Sequence, residues 1–445
     1  MGRLNYANMK KTLYYFKRNG IKKTVYAVLE RLEERKKQAY CFMPVSTEVL
    51  DAQRASVAAW MNAKEQDAVV VPGDVTSPGS TGLPVFSVLV PTYRTNEVYL
   101  REMIDSLLDQ TYPCWELILA DATPDDSVAQ IVGTYTDVRV RYHKLADNAG
   151  IAANTNCALE LATGDYVGLL DHDDVLTPDA LYEMAVQIRI AKESGRVLQW
   201  LYSDEDKCNG DGTEFYEPHF KEDFNLDLLL SNNYICHFTV MKRELIQDLR
   251  FRPAYDGAQD FDLVLRAAEK LMNREELIVH VPKVLYHWRC HTGSTAENPQ
   301  SKMYAYDAGR RAVQDFADRA GWNATAQDTA HLGFYKLVYH GDIFEMRQDI
   351  GAIGGPVVKR GRIIGGRMDA KGNVIYKNLP VYYSGYMHRA VLHQDAEALD
   401  ARNMKVRPEY QELLKNALQE KDGAVAGVEV CKQIKAQGAR ILYLP

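Results

Sequence analysis

Cysteine is sparse and unpaired in this 445-residue chain. The seven are Cys41, Cys114, Cys157, Cys208, Cys236, Cys290 and Cys431, and no two form a C-x-x-C pair. That spacing argues against a zinc site and a disulfide framework and fits a reducing compartment. Long apolar runs are missing too. No stretch approaches the ~18 residues of a transmembrane helix, and the N-terminus lacks the apolar h-region of a secretory signal, so no signal peptide is expected. The glycines near the end, from Gly351 to Gly366, fall in no G-x-x-x-x-G-K-[ST] frame, which leaves a P-loop unsupported. Net positive charge is absent: the formal charge is −7. The balance is uneven, however. Residues 1–40 carry eleven Lys or Arg and three Glu, a local +8, which leaves −15 on the remainder. With the rest so acidic, a nucleic-acid partner is not expected.

The most informative stretch that is present reads Val167-Gly-Leu-Leu-Asp-His-Asp-Asp174. An apolar run stops at three carboxylates, the pattern of a buried strand reaching the edge of a sheet. In open α/β sheets, ligands bind just beyond such strand ends. Acids crowded there call for a cation, and hard oxygen ligands favour Mg²⁺ or Mn²⁺ shared with a phosphate-bearing ligand. A solvated acidic turn before a helix opened by Thr177 and Pro178 explains the octapeptide equally well.

The surroundings favour the first reading. Phe86–Arg94 is a strand broken at Pro91. Leu100, Ile104, Leu107 and Leu108 then share a helical face. Trp115–Asp121 is a second strand ending in an acid, Val138–Tyr142 a third, and Gly164–Asp171 a fourth, with a helix after Asn148–Asn156. This alternation predicts an α/β fold, a Rossmann-like, mostly parallel sheet with helices on both faces. Six Pro or Gly residues in 72–84 mark a linker. The expected domains are a basic helical region 1–71, the linker 72–84, the sheet domain 85–330 and a smaller C-terminal α/β domain 331–445. In the last, Ala426–Cys431 echoes Gln259–Val264, as a degenerate half unit or by chance.

The basic segment has helical spacing at Val25, Val28, Leu29 and Leu32. Two readings stand: a peripheral helix on an anionic membrane surface, or a helical pair packed on the catalytic domain.

In order, strand-Pro-Thr-Tyr93, strand-Asp121, Asn148-x-Gly150 to Asn156, Leu170-Asp-x-Asp-Asp174, Tyr202-Ser-Asp-Glu-Asp206, Gly257-Ala-Gln-Asp-Phe-Asp262 and Tyr286-His-Trp-Arg-Cys-His291 resemble the family 2 glycosyltransferases of the GT-A fold. The resemblance covers about residues 84–295 and extends to the members that build bacterial surface polysaccharides, rhamnan-type assembly among them. It implies a nucleotide-diphosphate sugar donor, a glycan or lipid-linked glycan acceptor, and a divalent cation. Pro91, Thr92, Tyr93 and Arg94 would form the nucleobase loop, with Asp121 accepting from base or ribose. Asp260 would be the base, with Gln259 standing where the family has Glu. Ser294 and Thr295 would lie on a loop closing over the diphosphate.

The residues themselves suggest further roles. Asp173, with Asp171, is the first choice of metal ligand, and Asp174 is a support or donor-sugar contact. Asn148 and Gly150 permit close backbone approach, although a helix start explains Asn148 as well. Asn156 would support the diphosphate, and Asp204 the donor or acceptor sugar, whereas Glu205 and Asp206 read equally as solvated loop. His287, Arg289 and His291 share one strand face. His287 or His291 would complete the metal shell, His287 being preferred, and Arg289 would grip phosphate. The expected function is an inverting, metal-dependent transfer of sugar to a glycan hydroxyl, on the cytoplasmic side of the membrane. A non-catalytic sugar-nucleotide or glycan-binding scaffold is the alternative. A nucleotidyltransferase would need a Gly-rich basic loop after the first strand, which Pro91–Thr95 lacks.

Overall fold

The structure, a computed structural model, describes residues 6–37, 40–65, 82–291 and 303–445. Ser294, Thr295 and nearly all of the 72–84 linker lie outside these. The chain divides into two compact units that do not follow sequence order. One comprises 40–224 and 235–309; the other comprises 1–39, 225–234 and 310–445.

The first unit holds a nine-stranded sheet. Its strands are β1 (Phe86–Thr92), β2 (Trp115–Asp121), β3 (Val140–Lys144), β4 (Tyr166–Leu169), β5 (Val175–Leu176), β6 (Trp200–Asn209), β7 (Phe215–His219), β8 (Thr239–Lys242) and β9 (Ile278–Cys290). The order is β3-β2-β1-β4-β8-β6-β9-β5, with β7 beside β6. β1 to β4 run parallel, β8 reverses, and β6 and β9 resume the first direction. The predicted α/β sheet is thus present. β1 and β2 are buried almost throughout, which explains their unbroken apolar sequences. In register, Thr92 sits beside Asp121 and Leu169 beside Leu89, so the chain after β1, β2 and β4 leaves the sheet along one edge.

Helices α2 (Thr47–Glu65), α3 (Glu97–Leu108), α4 (Ser127–Val132), α5 (Ile151–Glu160), α6 (Ala180–Glu193), α8 (Arg243–Leu249) and α9 (Gln259–Leu271) belong to this unit. Asn96 caps α3 by accepting from Val98 N–H at 2.9 Å. That helix buries Leu100, Met103, Ile104 and Leu107, while Leu108 is only half-buried. The core joins these to Val88, Trp115, Leu117, Met184 and Leu201.

The second unit contains α1 (Tyr6–Lys37), interrupted at Gly20, and α7 (Leu226–Ser231). Beyond α10 (Met303–Arg319), in which the division falls, come β10 (Ala324–Asp328) paired with β11 (Tyr335–Tyr339), and α11 (Ile343–Met346). A four-stranded sheet has the order β16-β19-β12-β18, from β12 (Ile350–Gly354), β16 (Gln394–Asp395), β18 (Met404–Val406) and β19 (Arg440–Tyr443). Two ribbons pair β13 (Val357–Lys359) with β14 (Arg362–Gly365), and β15 (Arg367–Met368) with β17 (Ala398–Leu399). Helices α12 (Gln411–Glu420) and α13 (Gly423–Ala436) complete it, with Ala426, Val430 and Ile434 of α13 in its core. Its centre is ionic. Buried Arg347 grips both oxygens of buried Asp227 at 2.9 and 3.0 Å, binds Asp349, and lies over Trp322. Asp227 lies on α7, so a ten-residue excursion from the first unit's chain supplies half of the second unit's central ion pair.

α1 groups with the C-terminal segment rather than with the sheet unit. Buried Glu30 accepts from Ser384 N–H at 3.0 Å and Gly385 N–H at 2.6 Å, and Tyr26 stacks on Tyr382. The packed helix expected from the sequence therefore has a different support.

Candidate active site

The acidic turn follows β4. Asp174 N–H donates to Asp171 C=O at 3.3 Å, closing it. Asp171 is exposed and Asp173 half-buried, while Asp174 is 1 % exposed. The Asp174 carboxylate accepts from the Tyr286 hydroxyl at 2.5 Å and from Arg289 N–H at 2.7 Å. Burial, with the charges of Asp173 and Asp171, holds its pKa well above the usual carboxylate range. With both oxygens occupied, Asp174 anchors the turn instead of meeting a sugar.

Arg289 also differs from expectation. Its Nε donates to Asp173 C=O at 2.7 Å and Nη1 to Gly210 C=O at 2.8 Å, and Nη2 pairs with Glu102 at 2.6 Å. The guanidinium lies over the Tyr99 ring. Its backbone N–H and Nε hold the acidic turn while Nη1 and Nη2 are tied to Gly210 and Glu102, so this buried arginine is a positioning residue rather than a grip on phosphate.

Asp171, Asp173 and His287 are not brought together as a metal trio. His287 Nδ1 lies 2.5 Å from Asp206, and its ring contacts Phe42 and Phe215. His291 Nε2 instead lies 2.9 Å from the Asp173 carboxylate. Among the described residues, no group of three or more His, Cys, Asp and Glu is arranged to hold a metal ion. The Asp173–His291 pair does fit the donor set of a cation whose other ligands come from a substrate's phosphates.

Asp204, Glu205 and Asp206 are not loop residues but buried members of β6. Asp204 Oδ1 bonds to His280 Nε2 and accepts from Lys221 N–H, both at 2.8 Å, so this buried acid ties strand and backbone together instead of presenting itself to a sugar. Asp206 accepts from Tyr40 at 2.7 Å.

At the ends of β1 and β2, Asp121 is fully buried. Its oxygens accept from Thr92 Oγ1, Thr123 N–H, the Tyr142 hydroxyl and Lys144 Nζ, at 2.8 to 3.3 Å. Burial alone would raise its pKa, but the bonds from Thr123, Tyr142 and Lys144 hold it below the usual range. Thr123 Oγ1 in turn accepts from Arg94 N–H at 2.9 Å. Pro91 and Thr92 are thereby fixed under an exposed Tyr93 and Arg94. Asp121 acts on that loop from beneath it.

Asn148 Oδ1 accepts from Gly150 N–H at 3.2 Å and Asn154 Nδ2 at 3.0 Å. Gly150 has φ +95°, and a Cβ there would collide with the Asp256 carboxylate, which accepts from Ala152 N–H at 3.1 Å. Asn156 is committed elsewhere: its amide makes both bonds to the Phe251 backbone, at 2.8 and 2.9 Å. It ties α5 to the segment before α9, a structural role in place of the diphosphate contact expected.

Asp260 occupies the first turn of α9. Burial raises its pKa; the charge of His237 opposes the rise and that of Asp171 adds to it. Cys236 Sγ lies 3.8 Å from the Asp260 carboxylate and 3.4 Å from His237 Nε2. His237 Nδ1 lies 3.2 Å from Glu205, and its ring stacks on Tyr286 at 4.5 Å. Burial would lower the imidazole pKa, yet Cys236 and Glu205 hold it well above the ordinary value. Glu205 also pairs with Lys221 at 3.2 Å. This set, with Glu205 and Lys221 buried and Cys236 and His237 half-buried, was missed from the sequence. Its members lie in separate segments with no diagnostic spacing, and only the Cys236-His237 doublet hinted at it. Asp262, in contrast, is a structural acid, paired with Arg252 and Arg266.

Residues 87–250 match the family described as glycosyl transferase family 2. An uncharacterized protein of Sinorhizobium fredii is 41% identical over 240 residues, covering 53% of this chain and 26% of that protein. The O-antigen biosynthesis protein RfbC of Myxococcus xanthus is 31% identical over 284 residues, covering 63% of this chain and 22% of its own. A putative teichuronic acid biosynthesis glycosyltransferase, TuaG of Bacillus subtilis, is 33% identical over 161 residues, 36% of this chain and 62% of that one. The chain thus spans about a quarter of the length of the first two relatives. Because the matched segment carries the loop after β1, Asp121 and the whole acidic turn, this chain is built around a domain of glycosyl transferase family 2.

Proposed function

We propose that this chain is an inverting, divalent-cation-dependent glycosyltransferase. It moves a sugar from a nucleotide-diphosphate donor to a hydroxyl of a growing bacterial surface glycan, free or lipid-linked, on the cytoplasmic side of the membrane. The observation that carries this reading is the acidic turn at the end of β4, where the Asp173–His291 pair lies beside Asp171, whose charge adds to the rise in the Asp260 pKa.

In this reading Pro91, Thr92, Tyr93 and Arg94 receive the nucleobase, held by Asp121 from below. Asn148 and Gly150 admit the donor's phosphates close to backbone. Asp173 and His291 would hold Mg²⁺ or Mn²⁺, with Asp171 beside them. Bound there, the cation would stabilise negative charge on the departing diphosphate as a Lewis acid. Asp260 takes the proton from the acceptor hydroxyl as its oxygen attacks the anomeric carbon from the side opposite the leaving group. A raised pKa suits that task, since a more basic carboxylate holds the proton better. The charge of His237 opposes that rise.

A hydrolysis and transfer screen of nucleotide-diphosphate sugars with Mg²⁺ or Mn²⁺ tests the reading. Turnover of one donor, lost on chelation, is expected. A folded protein that neither binds nor turns over any donor with either cation would refute it.

A further inference from the structure

The reading above leaves α1 without a task. One of its faces is anchored within its own compact unit: Arg18 donates to Thr329 C=O at 3.1 Å, Asn19 to Ala330 C=O at 3.0 Å, and Thr24 and Glu30 are buried. The other face is apolar and open. Before Gly20, Met9, Leu13 and Phe16 recur at i, i+4 and i+7, each at least 42% exposed. After it, Ile21, Val25, Val28 and Leu32 recur at i, i+4, i+7 and i+11, with exposures from 40% to 70%. On a 3.6-residue helix these four fall within one narrow stripe, opposite buried Glu30. Isolated exposed apolar residues are ordinary, but a row along two helical segments is not.

Charge decides what covers it. Residues 1–40 carry +8, and Lys17, Lys22 and Lys23 are exposed on this helix. A second copy of the chain would bring two such segments face to face, and they repel. An anionic surface attracts them. The remainder, at −15, is repelled by the same surface and would be held off it. Among the described residues no helix is long and apolar enough to cross a membrane, so the contact is one of lying on the surface.

We propose that the outward face of α1 docks on an anionic lipid leaflet, with Ile21, Val25, Val28 and Leu32 entering the headgroup boundary and the segment's net positive charge drawing it to the lipid phosphates. The proposal does not depend on sugar transfer, and its test reads none. The full chain is sedimented with vesicles of phosphatidylcholine, alone and mixed with phosphatidylglycerol. It is expected to follow the mixed vesicles, to bind neutral ones weakly, and to be released by salt. The variant Ile21→Ser/Val25→Ser/Val28→Ser keeps the charge and should lose roughly tenfold or more of the binding. Its melting temperature should be unchanged, because these side chains face solvent. In a separate arm, Lys17→Gln/Lys22→Gln/Lys23→Gln keeps the stripe and should erase the preference for anionic vesicles. Failure of the wild type to sediment with mixed vesicles, or equal sedimentation of the serine variant, would overturn the proposal. So would a dimer of the wild type that the serine variant disperses, which would assign the stripe to a second copy.

Discussion

Replacing Arg347 with Met tests the ionic centre of the C-terminal unit. Arg347 and Asp227 are 0% and 2% exposed, so the change strands a carboxylate where water does not reach. Breaking a buried pair from one side costs about 3–5 kcal/mol. The loss of stacking on Trp322 adds up to ~1 kcal/mol. Two terms pull the other way. Asp349, with 29% of its side chain exposed, can rehydrate, and the charge of Arg440 also acts on Asp227. The expected loss is therefore about 3–4 kcal/mol. Urea unfolding reads it through Trp322, the one tryptophan in this unit, and through far-UV circular dichroism. In the wild type burial would raise the Asp227 pKa, but Arg347 overcomes this and lowers it. A lowered carboxylate pKa gives stability that is present above the unfolded value and lost as pH falls through the folded one. The gap between wild type and variant should therefore narrow in acid, where a proton also neutralises the stranded Asp227. Adding Asp227→Asn should recover most of the loss at neutral pH. A single-variant loss below ~1 kcal/mol, or a double variant no better than the single, would refute the reasoning.

Three further outcomes concern the candidate site. Asp260→Asn should leave donor affinity nearly unchanged and cut transfer by roughly 10²–10⁴-fold, because a general base acts in the transition state; full transfer by the variant would exclude the base role and strengthen the scaffold alternative. The acid limb of kcat/KM in the wild type should lie above the ordinary aspartate range, since burial raises the Asp260 pKa and activity falls as pH drops through it; a limb at or below that range would contradict the assignment. Asp173→Ala should abolish the metal-dependent part of donor binding in calorimetry, and unchanged affinity in a folded variant would remove Asp173 from the cation's ligands.

Much of the sheet was legible because burial writes itself as composition. β1, β2 and β4 are apolar runs ended by Pro91, Asp121 and Asp171, and the residue that ends each run marks where the chain leaves the sheet. Alternation along β9 set His287, Arg289 and His291 on one face, yet it could not say what stood opposite. Asp206 lies in register with His287 across β6 and β9, and that pairing takes the imidazole away from the acidic turn. Acids were also misread as solvent-facing. Glu205 and Asp206 look like loop until Lys221, His219 and Tyr40 arrive from distant segments to neutralise them. Asn156 was read as ligand-facing because its partner, the Phe251 backbone, is 95 residues away. Short-range pattern identifies faces and edges; which polar groups are already spent is a matter of long-range contacts.

The ten residues from Asn225 to Tyr234 have a practical consequence. They hold Leu226, Leu228, Leu229 and Leu230, all buried, and are fastened by Asn225, whose Nδ2 donates to Asp395 C=O at 3.2 Å and whose Oδ1 accepts from Asp395 N–H at 2.9 Å. Any fragment cut to isolate the glycosyltransferase domain as a continuous stretch of chain carries this segment without its seat. Such a fragment would display four leucines and an unpaired Asp227, and should aggregate when expressed alone. A usable cut must bypass the segment with a short polar loop or supply residues 310–445 as a second chain. The same interleaving restrains evolution: neither unit can be gained, lost or exchanged as a single cassette.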